Sequence, residues 1–361
     1  METPRTIPVV IGGCHYPVIV GPGIRQRLAD LRSWAPESRK TFVIADAEVF
    51  RLHGDLLAAA LPAPHHLALV PPGEASKSLT TAGLLFDQLA AARIERTDLI
   101  VTFGGGVIGD LGGFVAATWM RGMRFVQVPT TLEACVDAAI GGKTGVNHAT
   151  GKNLIGAFHQ PSAVVMDTDF LATLSPREFA AGLAESVKHA LIREPAFLTW
   201  HEQNANAILQ RKPGTLTELI ARNCRIKAAV VSADEREAGL RMILNYGHTI
   251  GHAIEHCLGY ELRHGECVGL GLIAAGVLAR ERNWLSDELC ERVTVLLKTF
   301  GLPTRLPRTL PAAELMAAMR MDKKHRAGTL HFVLLRDIGD VVVVPDVSND
   351  AIDRAINALQ P

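Results

Sequence analysis

Six short apolar runs, at 17–20, 41–45, 67–70, 99–103, 125–128 and 163–167, punctuate the first half of the chain, with helical stretches between them. Several are apolar throughout rather than alternating, the pattern of parallel strands covered by helices on both faces. The βαβ alternation predicts an α/β N-terminal domain built on a parallel sheet. In such sheets ligands bind at the carboxyl ends of the strands. The chain places its unusual residues there: Asp46 after the second run, Pro71-Pro72-Gly73-Glu74 after the third, Gly104-Gly105-Gly106 after the fourth and Thr130-Thr131 after the fifth. From about residue 176 the pattern turns mainly helical until an expected hairpin at 331–344. One boundary near residue 172 is expected, dividing the chain into 1–172 and 173–361.

Composition narrows the classes. With 361 residues, 48% hydrophobic and 20% charged, the chain has ample core and is not disordered. Lys and Arg number 37 against 37 Asp and Glu, a balance that argues against nucleic acid or an anionic membrane as the main partner. The first residues lack a basic, apolar leader, and the longest apolar run, 267–279, is too short to span a bilayer. A cytoplasmic protein is expected. Six scattered cysteines without a CxxC pair suggest reduced thiols rather than disulfides or a cysteine metal site.

Five segments carry candidate chemistry. Residues 99–110 read as a strand, a glycine turn and a helix starting near Val107, with GxGxxG spacing that suits a pyrophosphate. The acidic residue that normally follows at the end of the next strand is absent, so the turn is either a nonstandard dinucleotide loop or merely tight; Asp46 is a candidate replacement. Residues 136–153, with Lys143, Lys152 and Asn153 among glycines, fit an anion cradle or a flexible surface loop. Glu185 and Lys188 share a helical face in apolar surroundings, against the usual exposed salt bridge. Between 237 and 256 one continuous helix is expected, with Glu237, Arg241, Asn245, His248 and His252 forming one polar stripe. Its content, Arg, Asn and His rather than Lys and Glu, favours a site over a solvated face. His264 opens a further apolar helix, and Asp322-Lys323-Lys324 precedes the hairpin as an ordinary exposed turn.

Together these segments resemble the 3-dehydroquinate synthase family of sugar-phosphate cyclases. The resemblance rests on 104–110, Arg121-Gly122, 129–131, Val136-Asp137, 141–147, 151–153, Ala184-Glu185-x-x-Lys188, Asn245-x-Gly247-His248-x-x-Gly251-His252-Ala253-Ile254-Glu255, His264-Gly265-Glu266 and Asp322-Lys323-Lys324. It implies a Rossmann-like, nucleotide-binding parallel sheet in the α/β N-terminal domain and a mainly α-helical, metal- and substrate-binding C-terminal domain. The implied activity is a lyase reaction of the shikimate pathway, conversion of 3-deoxy-D-arabino-heptulosonate 7-phosphate to 3-dehydroquinate and phosphate. The implied cofactors are NAD and one divalent metal, zinc or cobalt. The family mechanism oxidises a hydroxyl transiently, eliminates phosphate, returns the hydride and closes the ring by an aldol step.

Carried over by position, the resemblance implies Glu185, His248 and His264 as metal ligands and Asp137, Lys188, Glu237 and His264 as catalytic residues. Lys143, Asn153, Asn245 and His252, with Lys323 or Lys324, are implied around the phosphate, and Arg121 is implied to reach it from a second subunit of a homodimer. Lys227 and Arg241 are implied for the substrate carboxylate. The implied NAD set is Asp46, Glu74, Lys77, Gly106, Val107, Ile108, Gly109, Asp110, Thr130, Thr131, Lys143, Lys152 and Thr173. Alternatives are another cyclase of the family or a metal-dependent polyol dehydrogenase, which would give net redox turnover.

Overall fold

A computed structural model of the chain describes residues 3–324, 330–345 and 347–361, with the backbone alone at 321–324. It divides into two compact units, Met1–Leu174 with Arg211–Glu235, and Ser175–Gln210 with Arg236–Pro361.

The first unit is built on a seven-stranded sheet. Its elements in chain order are β1 (Arg5–Ile11), β2 (Cys14–Gly21), β3 (Thr41–Asp46), α1 (Ala47–Ala60), β4 (His65–Val70), α2 (Leu79–Ala91), β5 (Leu99–Gly104), α3 (Gly106–Thr118), β6 (Arg124–Pro129), β7 (Lys143–His148), β8 (Gly151–Phe158) and β9 (Ala163–Asp167). Strand order is β1-β2-β9-β6-β5-β3-β4, and every neighbouring pair is parallel except β1 with β2. The strand β1 is additional to the expected runs. It alternates, burying Ile7, Val9 and Ile11 only, as an edge strand with one covered face does.

Successive side chains enter opposite cores, as the period of two requires. Val43, Ala45, Val101, Phe103 and Val126 pack with Leu28, Leu57 and Phe170 on one face. Phe42, Ile44, Ile100 and Phe125 pack with Leu85, Leu111 and Phe114 on the other. Residues 143–153 of the segment that fitted either an anion cradle or a flexible surface loop lie in the antiparallel hairpin β7–β8. Its glycines permit close pairing rather than mobility: a Cβ at Gly156 would overlap the Thr144 carbonyl oxygen, and one at Gly145 would stand 2.7 Å from that of Ile155.

The remaining elements are α4 (Pro176–Arg193), α5 (Pro195–Leu209), α6 (Pro213–Ala233), α7 (His248–Cys257), α8 (His264–Arg280), α9 (Asp287–Thr299), α10 (Ala312–Lys324), β10 (His331–Asp337), β11 (Asp340–Pro345) and α11 (Asn349–Asn357). All but α6 belong to the second unit. Instead of one change near residue 172, the chain passes between units after Leu174, Gln210 and Glu235. The reason lies in α6, which packs on β1 and β2. Ahead of it, the Arg211 guanidinium donates to the carbonyls of Leu171, Ala172 and Leu174 at 2.7–2.9 Å.

In the second unit α4 is the central element, buried at every residue from Phe179 to Ile192. Ser175 caps it, its Oγ accepting from the Glu178 N–H at 3.2 Å, and Pro176 occupies the first turn. The continuous helix expected over 237–256 is broken. A 3-10 turn covers Leu240–Asn245, Gly247 takes φ 79°, and α7 begins at His248. Glu237 itself lies at φ 60°, outside any helix. Asp322, Lys323 and Lys324 end α10 rather than forming a turn. Among the described residues no helix is long and apolar enough to cross a membrane.

Candidate functional site

Within the second unit, three helices bring a carboxylate and two imidazoles together. Arg177, Ala181 and Glu185 recur every four residues on α4 and so share a face. The start of α8 lies against that face, because a Cβ at Gly265 would overlap the Ala181 carbonyl oxygen and only glycine fits. Arg177 fixes the same junction with two 2.7 Å hydrogen bonds to the Glu266 carboxylate. Glu266 Oε2 also accepts from the Arg263 N–H at 2.7 Å, closing a capping box. Helix α7 approaches α8 just as closely: a Cβ at Gly271 would overlap the Gly247 carbonyl, and one at Gly251 would stand 2.9 Å from that of Cys267.

The result is that His248 and His264, each the first residue of its helix, face Glu185 in mid-helix. Glu185 Oε1 lies 3.4 Å from Nε2 of His248 and 3.4 Å from Nε2 of His264. The other oxygen, Oε2, is ion-paired with Lys188, and both side chains are almost wholly buried. Burial alone would raise the Glu185 carboxyl, but the Lys188 ammonium and then His248 and His264 override it and hold it well below its usual value. The His248 ring lies 5.4 Å from that of His264, and His252 lies 5.1 and 5.6 Å from the two. One nitrogen of each of the three imidazoles falls within 4.8 Å of the others. Glu237 and Asn245 are joined by a 2.6 Å hydrogen bond from the amide, and Arg241 is buried. The side chains of Lys323 and Lys324 lie outside the described residues.

The first unit holds a second constellation. Gly105 caps α3, which starts one residue before the expected Val107, and Ile108 and Gly109 donate their N–H groups back to its carbonyl at 3.1 Å. A Cβ at Gly105 would stand 2.9 Å from Thr131 Cγ2, and one at Gly109 3.0 Å from Gln127 Oε1. Gly104, Gly105, Gly106, Gly109 and Asp110 line a pocket with Pro129 and Ala138. Thr130 is buried beside it, and its hydroxyl has no hydrogen-bond partner among the described residues. Lys77 donates to Asp110 at 2.5 Å and to Asn153 at 2.6 Å. Burial raises the Asp110 carboxyl even against that ammonium. Glu74 accepts from Asn147, whose own side-chain oxygen accepts from the Asn153 N–H. Asp46 caps α1 through the N–H groups of Glu48 and Val49, and Thr173 is hydrogen-bonded to His53 at 2.7 Å.

Asp137 lies in a π-helical turn, its carboxylate 2.9 Å from the Lys227 ammonium, which also donates to its carbonyl. Arg121 is exposed, at φ 65° after Met120 at φ 51°. Lys143 is exposed and Lys152 half-buried on the hairpin. The structure therefore joins Glu185, Lys188, His248, His252 and His264 in one unit, and Lys77, Asp110 and Asn153 in the other. Arg177 and the Tyr246 carbonyl, which buttress these groups, carried no signal of their own in the sequence, whereas Asn147 lies in the 141–147 motif.

Comparison with known proteins is consistent along the chain. The family model described as 3-dehydroquinate synthase N-terminal matches residues 67–181, and that described as 3-dehydroquinate synthase C-terminal matches 182–325. The 3-dehydroquinate synthase of Symbiobacterium thermophilum is 47% identical over 355 residues, covering 97% of this chain and 99% of its own. Among solved structures, 2-epi-5-epi-valiolone synthase of Streptomyces hygroscopicus subsp. jinggangensis, with NAD+ and Zn2+ bound, is 31% identical with a TM-score of 0.87, over 95% of this chain and 96% of that one. A 2-deoxy-scyllo-inosose synthase complexed with carbaglucose-6-phosphate, NAD+ and Co2+ is 26% identical with a TM-score of 0.88, over 98% and 99%. Two family models that meet at residue 181, inside the helix carrying Glu185, together with near-complete coverage by a close relative, show that this chain belongs to the 3-dehydroquinate synthase family.

Proposed function

We propose that the chain is a 3-dehydroquinate synthase, a lyase that converts 3-deoxy-D-arabino-heptulosonate 7-phosphate to 3-dehydroquinate and phosphate. The observation that carries this reading is Glu185 Oε1 standing 3.4 Å from Nε2 of both His248 and His264, in a chain of this family. One carboxylate oxygen and two imidazole nitrogens fit a zinc or cobalt ion and leave coordination positions for substrate hydroxyls. Related cyclases carry NAD+ with Zn2+ or Co2+. Bound there, such an ion supplies Lewis acidity to a substrate hydroxyl. The glycine-lined pocket and the Thr130 hydroxyl, without a partner among the described residues, fit the nucleotide, which would supply a hydride acceptor there.

The chain's own residues position and discriminate. Lys188 holds the second oxygen of Glu185, so the first keeps one orientation toward the imidazoles. Lys227 grips both the carboxylate and the carbonyl of Asp137, which fixes that acid for a reacting hydroxyl and leaves ammonium charge for the substrate carboxylate. Glu237 is held by Asn245 for the same chemistry. Lys143, Asn153, Asn245 and His252, with Lys323 or Lys324, are the phosphate set, and Arg241 serves the carboxylate. Asp46, Glu74, Lys77, residues 106–110, Thr130, Thr131, Lys143, Lys152 and Thr173 serve the nucleotide. The unit Met1–Leu174 with Arg211–Glu235 is the nucleotide-binding part, and the unit Ser175–Gln210 with Arg236–Pro361 holds the metal ligands. A cytoplasmic homodimer completes the reading, with Arg121 reaching the phosphate of the second copy.

Purified protein given NAD, Zn2+ or Co2+ and the heptulosonate phosphate should release phosphate and form dehydroquinate without net NADH. Stoichiometric NADH would instead indicate a polyol dehydrogenase. Phosphate release only from another sugar phosphate would make it a different cyclase.

A further inference from the structure

We infer that Glu255 is a positioning residue that locks the His264 imidazole for metal binding. It rests on the proposed ligand set, which gives Glu255 itself no role. Glu255 sits on α7 seven residues after His248, two turns along the same face, and is 8% exposed. Its Oε2 lies 3.3 Å from Nδ1 of His264. The other imidazole has a matching arrangement, with His248 Nδ1 3.1 Å from the Tyr246 carbonyl oxygen.

A carboxylate and a carbonyl only accept hydrogen bonds, so both Nδ1 atoms carry the proton, and with a cation held at Glu185 Oε1 both Nε2 atoms would offer it a lone pair. Those two lone pairs are the ones turned toward Glu185 Oε1. In the opposite tautomer the Nδ1 lone pair of His264 would face the Glu255 carboxylate, and Nε2 could not ligate. The two histidines differ in how they are held. His248 is fixed by a carbonyl two residues away, whereas His264 depends on a side chain from another helix. Glu255 thus transmits the placement of α7 to a ligand on α8, as outer carboxylates do for metal-bound histidines.

The test measures Co2+ affinity by competition with a chelating dye, and the visible Co2+ spectrum, in the full chain. Glu255→Ala should bind Co2+ about 10–100-fold more weakly, with an altered spectrum. Glu255→Gln should recover most of the affinity, because its amide oxygen still accepts from Nδ1–H. NAD affinity and the melting temperature of the metal-free protein should stay at parent values in both. If Glu255→Ala fails to fold, Glu255→Met removes the acceptor with a better helix-packing side chain. Parent-like affinity and spectrum in the alanine or methionine variant would overturn the proposal, as would a glutamine variant no better than alanine. His264→Ala separates the two levels. If it loses Co2+ while Glu255→Ala keeps it, only the positioning role falls; if it binds like the parent, the ligand set falls and the positioning role with it.

Discussion

His248 and His252 stand one turn apart on α7, and their rings are 5.1 Å from each other, yet their surroundings differ. His248 meets the buried Glu185 carboxylate at 3.4 Å, while His252 is exposed. His248→Ala should therefore weaken metal binding by at least the roughly 10–100-fold typical for loss of an outer partner. His252→Asn should retain the metal and raise KM for the phosphorylated substrate. Metal analysis of the two variants beside steady-state kinetics checks this, and equal metal content in His248→Ala and parent would reject the ligand role. At this scale the sequence was informative about Glu185 and Lys188, since an acid and a base in an apolar helix are costly unless paired. It was silent on the Tyr246 carbonyl, because a backbone group has no residue type to recognise.

Helix placement in the second unit depends on glycines that remove side chains from contact surfaces. Gly265 against Ala181, Gly271 against Gly247 and Gly251 against Cys267 let α4, α7 and α8 meet at backbone distance. Gly265→Ala should cost about 1–3 kcal/mol, the usual range for overpacking, because the new methyl meets backbone that cannot rotate away. Urea unfolding measures the loss, and Co2+ affinity should fall with it because His264 is the adjacent residue. A variant as stable as the parent would show that α8 can slide. Element types were legible wherever periodicity was strong, as in β3, β5 and α4. They were left open at β7–β8, where glycines fitted a cradle or a loop, and misread over 237–256, where a helical stripe ran through Gly247. In both places a residue's role depends on the partner surface, which local pattern does not contain.

At the scale of the whole molecule, stability and metal binding are separable. Each unit has an extensive apolar interior, from Val43 and Phe103 in one to Leu183, Ile254 and Leu272 in the other. Metal removal should therefore leave the chain folded and cooperative. Far-UV circular dichroism should be unchanged by a chelator. Zn2+ at about a hundred times its dissociation constant should add about 2.7 kcal/mol, read as a raised melting temperature. Unfolding on chelation would show instead that the ion is a structural staple. The 37 to 37 charge balance likewise describes the average and not the buried sites, where Lys77, Lys188 and Lys227 each meet a carboxylate.

Taken by itself, the sequence determined the parallel sheet, the helical second half, the glycine turn and the motifs of the family, because all of these are written in neighbouring residues. Only the tertiary structure decided that α6 returns to the first unit, that 143–158 pairs as a hairpin, and through which helix faces Glu185, His248 and His264, implied as one ligand set by the motifs, converge. Glu185 lies 63 residues before His248, and His264 lies 16 after it. Their meeting is set by which helix faces can approach, a property of packed surfaces with no local periodicity to reveal it.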